Sequence, residues 1–273
     1  MATPMTKAQW EAAMKKWGVP VKYYSGWATR GRPGAFSSIN GIIIHHTGSD
    51  SQSDDYLKFL FVTGRPADGI PGPLCQVSTD MDGDVWVGAA GRANHAGRGS
   101  SATLNEVVTE SYKGYSSELK PGADNTDGNA HFYGNEVRFD GGQPMTDKQW
   151  NAAVLWAAAI CDHYGWSALS VIGHREWSSR KPDPGSTKMY AFRAAVAARL
   201  KAGPAKTPTE DLMATLDTIQ TAVNGLRSEE ADRYQVYTDR HEYVVARLSQ
   251  VDDALADVKD RLTRIEGFVD GTP

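Results

Sequence analysis

Polar and apolar positions along the chain fall into two textures, one mixed and one purely helical. In "MTKAQWEAAMKKWG" a helix is announced by its start: Thr6 is placed to cap it, Gln9 to close a capping box, and Gly18 follows its end. "MTDKQWNAAVLWAAAICDHYG" uses the same grammar, with Thr146 and Gln149 at its start. Trp150, Ala153, Val154, Ala157, Ile160 and Cys161 then mark one buried face. The shared M-T-x-x-Q-W-x-A-A is a common helix start rather than a duplication, because nothing around it repeats. Between and after these helices lie short apolar runs, "INGIIIHH", "PLCQVSTD", "DVWVGAA", "GNEVRF" and "LSVIGH", each bounded by Gly, Pro, Asp or Ser as strands are. "TDMDGDVW" reads as a turn joining two of them. "SDDYLKFLFV" and "STKMYAFRAAVAARLKAG" read as helices after the first and last strands. Strands interleaved with helices predict an α/β domain over residues 1–202, with a single mixed central sheet flanked by helices. Residues 111–130, polar and Gly-rich, read as a long loop.

Beyond a linker at 203–211 the period becomes helical throughout. Leu212, Leu216, Ile219, Val223 and Leu226 step by four and three. So do Tyr237, His241, Val244, Leu248, Val251, Leu255, Val258, Leu262 and Ile265. Glu230 and Tyr234 bridge the two blocks with an extra four-residue step, a stutter between heptads. Residues 212–273 are therefore expected to form a long, coiled-coil-like helical tail, through self-association as a homo-oligomer or as a helical hairpin, or else a helix packed on the preceding domain.

Composition narrows the function classes. The net charge of −4 divides into −6 on residues 203–273, with 8 Lys/Arg against 14 Asp/Glu, and +2 on the rest. An overall acidic chain is poor material for binding nucleic acid, while a slightly basic body suits an anionic polymer. The longest aliphatic run is Ile42-Ile43-Ile44, so no membrane span is expected. The N-terminus lacks the apolar stretch of a signal peptide, and synthesis in the cytoplasm is the expectation. The two cysteines, Cys75 and Cys161, make no disulfide framework and read as buried thiols.

Candidate chemistry gathers at two strand ends. "GIIIHHTG" is an aliphatic strand ending in His45 and His46, and "LSVIGH" is another ending in His174. One histidine at a strand end is usually a hydrogen-bonded surface residue, but two such strands suggest a shared site. Nine residues past His174, Asp183 sits between Pro182 and Pro184, which restrict its backbone. Two histidines and one carboxylate with a fourth position open is a catalytic zinc arrangement, in which the metal lowers the pKa of water to about 7. Lys181 is either a solvated surface lysine or a cation placed to meet a developing oxyanion. No H-E-x-x-H occurs, which argues against that class of zinc protease.

"IIIHHTG", "YGNEVRF" and "GHREWSSRKPDPG", in this order, resemble the zinc-dependent N-acetylmuramoyl-L-alanine amidases, the type-2 amidases related to peptidoglycan recognition proteins. "GWATRGRPGAFSSINGIIIHHTG" and "RANHAGRGS" look like endolysins of phages that infect actinobacteria. The resemblance covers roughly residues 20–200. It implies one Zn²⁺ on His45, His174 and Asp183, with Lys181 stabilising the oxyanion and Glu136 as general base. Some relatives use a tyrosine where Cys75 falls here, which favours Glu136. His95 is expected to line the groove and contact substrate, and His46 to lie beside the metal or the substrate. The implied reaction is hydrolysis of the amide between N-acetylmuramic acid and the first L-alanine of the peptidoglycan stem peptide, on the host cell wall, reached after release from the host cytoplasm. The alternatives are a non-catalytic peptidoglycan-binding protein and a virion-associated structural protein with a helical multimerisation tail.

Overall fold

The computed structural model describes residues 2–204, 208–233 and 241–269. The chain up to Pro204 forms one compact unit, and the helices beyond it belong to a second. In chain order the first unit comprises α1 (Lys7–Trp17), β1 (Val21–Tyr23), β2 (Gly41–His46), α2 (Asp54–Lys58), β3 (Gly64–Arg65) and β4 (Ile70–Pro71). There follow β5 (Val77–Thr79), β6 (Val85–Val87), β7 (Arg98–Ser100), α3 (Ser101–Thr109), β8 (Asp124–Asp127) and β9 (Phe132–Val137). The unit closes with α4 (Asp147–Tyr164), β10 (Val171–Gly173), α5 (His174–Trp177) and α6 (Met189–Ala202).

Six strands form the central sheet in the order β1-β6-β5-β9-β2-β10. Every pairing is parallel except β5 with β6, so the sheet is mixed, as the interleaved pattern predicts. Helices cover both faces. Ile42 and Ile44 of β2 join the large cluster containing Trp10, Met14, Trp156 and Phe192 from α1, α4 and α6. Ile43 joins Val107, Phe132, Ile172 and Trp177 on the other face. Side chains alternate along a strand, so His45 shares the face of Ile43 and His46 turns the other way.

Both expected capping boxes form. Thr6 accepts from the Gln9 backbone and Thr146 from the Gln149 backbone, and each glutamine returns a bond. α4 is buried on more than the expected face, since Ala152, Trp156, Ala158 and Ala159 are covered as well. It packs against α1 and α6 as well as the sheet. Cys75 and Cys161 are free and buried.

Elsewhere the structure departs from the pattern. His174 does not end a strand; it opens the single turn α5 directly after β10. The reason is Glu176, whose Oε2 accepts the Gly173 N–H and ties back the start of that turn. The run "SDDYLKFLFV" is helical only to Lys58 and then widens into a π turn over Phe59–Thr63. The polar segment 111–130 is not all loop, because β8 within it pairs antiparallel with β7.

The segment is also nailed down by buried charge. Arg193 and Glu176 are both fully buried and paired at 2.8 Å and 3.0 Å. Arg193 also donates to the carbonyls of Gly114, Ser117 and Val171, so α6, β10, α5 and the 111–120 segment meet at one guanidinium.

In the second unit, α7 (Pro208–Arg233) and α8 (His241–Val269) run antiparallel. Leu216 packs with Leu255 and Leu262, Lys259 pairs with Asp217 at 3.1 Å, and Arg227 pairs with Asp252. The helical tail is thus a hairpin, and α7 starts inside the stretch expected as linker. Only half of the heptad stripe lies in its seam: Ile219, Leu226, Val251, Val258 and Ile265 remain exposed. Tyr234 and Tyr237, and the side chains of Leu212, Glu230 and His241, lie outside the described residues.

Replacing Arg193 by leucine leaves the Glu176 carboxylate buried without its cation, and a broken buried pair costs about 3–5 kcal/mol. Arg193→Leu is therefore expected to lower the unfolding free energy of the first unit, read from a urea titration, by about 3–5 kcal/mol. A loss below about 1 kcal/mol would show that the pair contributes little.

Candidate metal centre

The site begins with two adjacent parallel strands in register. His45 of β2 is the direct partner of Glu136 of β9, so both side chains rise from the same face, side by side. His174 is delivered by α5 from the strand flanking β2 on its other side. Asp183 arrives on the proline-flanked loop, where its carbonyl accepts the Arg175 N–H at 2.8 Å. Arg175 in turn holds Glu118 and the carbonyls of Gly185 and Thr187, fixing the half of the loop that follows Asp183.

Three ligand atoms converge. His45 Nδ1 lies 3.0 Å from His174 Nδ1 and 2.8 Å from Asp183 Oδ2, and His174 Nδ1 lies 2.9 Å from that same oxygen. All three residues are at most 8% exposed. They form a His-His-Asp group able to hold a metal ion, and the structure therefore brings together the three residues the sequence singled out.

The hydrogen bonds test whether a cation suits them. His174 Nε2 faces the Ala96 carbonyl oxygen at 3.0 Å. A carbonyl only accepts, so the proton of a neutral His174 sits on Nε2 and Nδ1 keeps its lone pair. Burial would raise the Asp183 carboxyl, but its close approach to His174 and then His45 outweighs this and holds it well below the usual carboxylate range. Burial, followed by the neighbouring His174, pushes His45 down to about 4. Neutral imidazole nitrogens beside an ionised carboxylate are the donor set of a zinc site.

Glu136 Oε1 stands 4.0 Å from His45 Nδ1, and Oε2 is buried with no hydrogen-bond partner among the described residues. Burial and then the Asp183 charge raise the Glu136 carboxyl well above 4.5, while Lys181 opposes this. A cavity of about 240 Å³ opens over the group, bordered by His46, Thr47, Tyr56, Arg65, Glu136 and Lys181. Lys181 is exposed at its rim. Cys75 is buried with its thiol pushed up, by burial first and Glu136 second, so it offers no reactive thiolate.

The two remaining histidines stand apart from the ligand set. His46 borders the cavity, but its ring lies against Phe139 and over Gly141, and Nδ1 has no partner among the described residues. His95 borders the cavity too, yet both its ring nitrogens are engaged inside the protein, Nδ1 with His45 Nε2 and Nε2 with the Phe132 carbonyl, each at 3.0 Å. A polar contact to substrate through those nitrogens would require these bonds to break.

Sequence reading missed the residues that hold these groups in place. Arg193 could have been noticed, because it occupies an apolar-face position of α6 between Met189, Phe192 and Val196. Asn129, whose Oδ1 accepts the N–H groups of His95 and Ala96 at 3.0 Å and 2.8 Å, carries no such signal.

A model of the family described as N-acetylmuramoyl-L-alanine amidase matches residues 35–186. No curated protein matches the sequence. Among solved structures, the N-acetylmuramoyl-L-alanine amidase LysC from Clostridium intestinale URNW is 14% identical, with a TM-score of 0.44 over 64% of this chain and 95% of its own. The Ph2119 endolysin from the Thermus scotoductus MAT2119 bacteriophage Ph2119 is 16% identical, with a TM-score of 0.40 over 62% and 88%. Wild-type Drosophila PGRP-LB is 18% identical, with a TM-score of 0.39 over 63% and 90%.

The electrostatics predict a pH response of the metal-free protein. His45 is pushed down to about 4 and His95 well below 6.5, so the unfolded chain binds more protons at these two sites as pH falls through 6.5. Glu136, raised above 4.5, binds its proton in the native state and works in the opposite sense. His46 and His163, also lowered by burial, act with the first two imidazoles, so four groups oppose one carboxyl. Stability of the metal-free protein, read as a urea midpoint, is expected to fall as pH is lowered from about 6.5 to about 4.5; a rising midpoint would contradict the buried neutral histidines.

Proposed function

The chain belongs to the N-acetylmuramoyl-L-alanine amidase family, and on that premise we propose that it is a zinc-dependent peptidoglycan hydrolase cutting between N-acetylmuramic acid and the first L-alanine of the stem peptide. The observation that carries this reading is the convergence of His45 Nδ1, His174 Nδ1 and Asp183 Oδ2 beneath a cavity that Glu136 and Lys181 border. Zinc held by those three atoms would polarise the scissile carbonyl and lower the pKa of water. The protein's own groups would do the rest. The Glu136 carboxylate, with Oε2 unpaired, takes the proton of the attacking water and returns it to the leaving nitrogen. Burial raises its pKa, which makes it a stronger proton acceptor than an exposed carboxylate. The Lys181 ammonium at the rim meets the oxyanion of the tetrahedral intermediate.

We propose further that the tail hairpin pairs with a second copy of itself. In an antiparallel helix pair the outer edges of the two heptad stripes lie on the same side, so Ile219 and Leu226 of α7 and Val251, Val258 and Ile265 of α8 make one continuation of the buried seam. A twofold-related hairpin offers the same stripe and would complete a four-helix core. Two catalytic units on one bundle gain avidity for a polymeric wall.

Mass spectrometry of purified cell wall digested by the protein is expected to show free stem peptides beginning at L-alanine, abolished by a chelator and restored by zinc. Binding of wall without release of peptide would establish a non-catalytic binder instead. Lys181→Ala should keep stoichiometric zinc while turnover falls about 10²–10³-fold, the usual loss when an oxyanion donor is removed. For the tail, light scattering on the full chain should report a dimer, and the double variant Val251→Glu, Val258→Glu a monomer. A monomeric parent at micromolar concentration would rule the pairing out.

A further inference from the structure

We propose that His95 is a positioning residue, whose task is to fix the proton of His45 on Nε2 so that Nδ1 faces the cation site as a lone pair. The proposal rests on the zinc reading for its purpose, but its geometry stands independently.

The argument starts at a backbone oxygen. The Phe132 carbonyl, 3.0 Å from His95 Nε2, can only accept, so His95 donates from Nε2. His95 is 7% exposed and faces no carboxylate within bonding distance, so burial disfavours its imidazolium form. A neutral ring carries one proton; with that proton on Nε2, His95 Nδ1 is an acceptor. It lies 3.0 Å from His45 Nε2, which must then be the donor. His45 Nδ1 is left bare and pointed at His174 Nδ1 and Asp183 Oδ2. One carbonyl thus sets the tautomer of one ligand through a relay, and the Ala96 carbonyl sets that of His174 directly.

The relay is built in rather than incidental. Asn129 Oδ1 accepts from the backbone N–H of both His95 and Ala96, so one carboxamide aligns the segment that controls both ligands. Gly134 lies beneath the His95 ring: a Cβ there would come within 2.5 Å of it, against backbone-fixed β9. Gly134 is in turn held by Gln76, whose Oε1 accepts its N–H at 2.7 Å. Two carbonyl-anchored protons and one ionised carboxylate leave three electron pairs facing one another with no proton between them. That arrangement is repulsive alone and complementary to a cation.

The test uses the full chain and two readouts. The first is the tautomer of His45 in the zinc-free protein, read by two-bond nitrogen–proton correlation of the imidazole rings. The Nε2–H form is expected for His45 and for His95; a His45 protonated on Nδ1 overturns the proposal, whatever becomes of zinc or catalysis. The second is zinc affinity, by competition with a chromophoric chelator, for His95→Phe and His95→Gln. Phenylalanine keeps the ring and loses both bonds, and zinc binding should weaken about 10–100-fold, as loss of an orienting partner does. Glutamine can donate to Phe132 from its amide nitrogen and accept from His45 through its oxygen, so it should recover most of the affinity. Equal affinity in the phenylalanine variant and the parent, or equal loss in both variants, overturns the proposal in favour of a packing role. Should the phenylalanine variant not fold, the parent spectrum and the glutamine variant still decide.

Discussion

Three electron pairs meet at the rim of the central sheet within 3.0 Å of one another, on His45, His174 and Asp183. In water such groups would part or take up a proton. Here they are held together by backbone that cannot yield: a parallel strand pair in register for His45, a carbonyl-anchored ring for His174, and for Asp183 a loop that Arg175 ties at Asp183, Gly185 and Thr187. Strand alternation then decides the division of labour between the neighbouring histidines. Ile43 and His45 face one way, Ile44 and His46 the other, and on the first side Ile43 packs with Trp177 of α5. The same alternation puts Glu136 beside His45 and sets Gly134 under His95.

Much of this was legible in the sequence, for a physical reason. "GIIIHH" and the loop around Asp183 display their chemistry because the residues that carry it also punctuate the chain, at a strand end and between two prolines. The helix starts at Thr6 and Thr146 were legible because a capping box is local, contained within four residues. The turn at His174 was not, because it depends on Glu176, and Glu176 depends on Arg193 from a helix seventeen residues away. α3 and β8 were missed for a related reason. β8 is "DNTD", polar throughout, and exists because β7 offers it a partner across a long connection.

The role of His95 marks the sharper limit. Sequence places a histidine in a glycine-flanked loop, where a substrate contact and a structural bond read alike. What separates them is that Asn129 and Phe132, more than thirty residues on, hold the His95 backbone and Nε2, while His45, fifty residues before, engages Nδ1. A resemblance to a family carries ligand positions well, because ligands sit in motifs. It carries the residues behind the ligands less well, because those are chosen by the packing of one chain.

The two buried ionic groupings of the first unit work in opposite senses. Arg193 and Glu176 satisfy one another and five backbone groups besides, three carbonyls and two N–H groups, so their burial is compensated in full. The His45, His174 and Asp183 group is not compensated in the same way, since its inward-facing atoms can only accept. Placed within one strand and one turn of each other, the first grouping supplies rigidity that the second consumes: Glu176 holds Gly173, and Gly173 immediately precedes His174. Ligand atoms kept together against their own repulsion lose little freedom when an ion arrives, so the cost of assembling the site falls on folding rather than on binding. Metal binding and stability are then linked quantities, and a change that relaxes the group, by freeing His45 from His95 or His174 from Ala96, would stabilise the metal-free fold while weakening its hold on the ion.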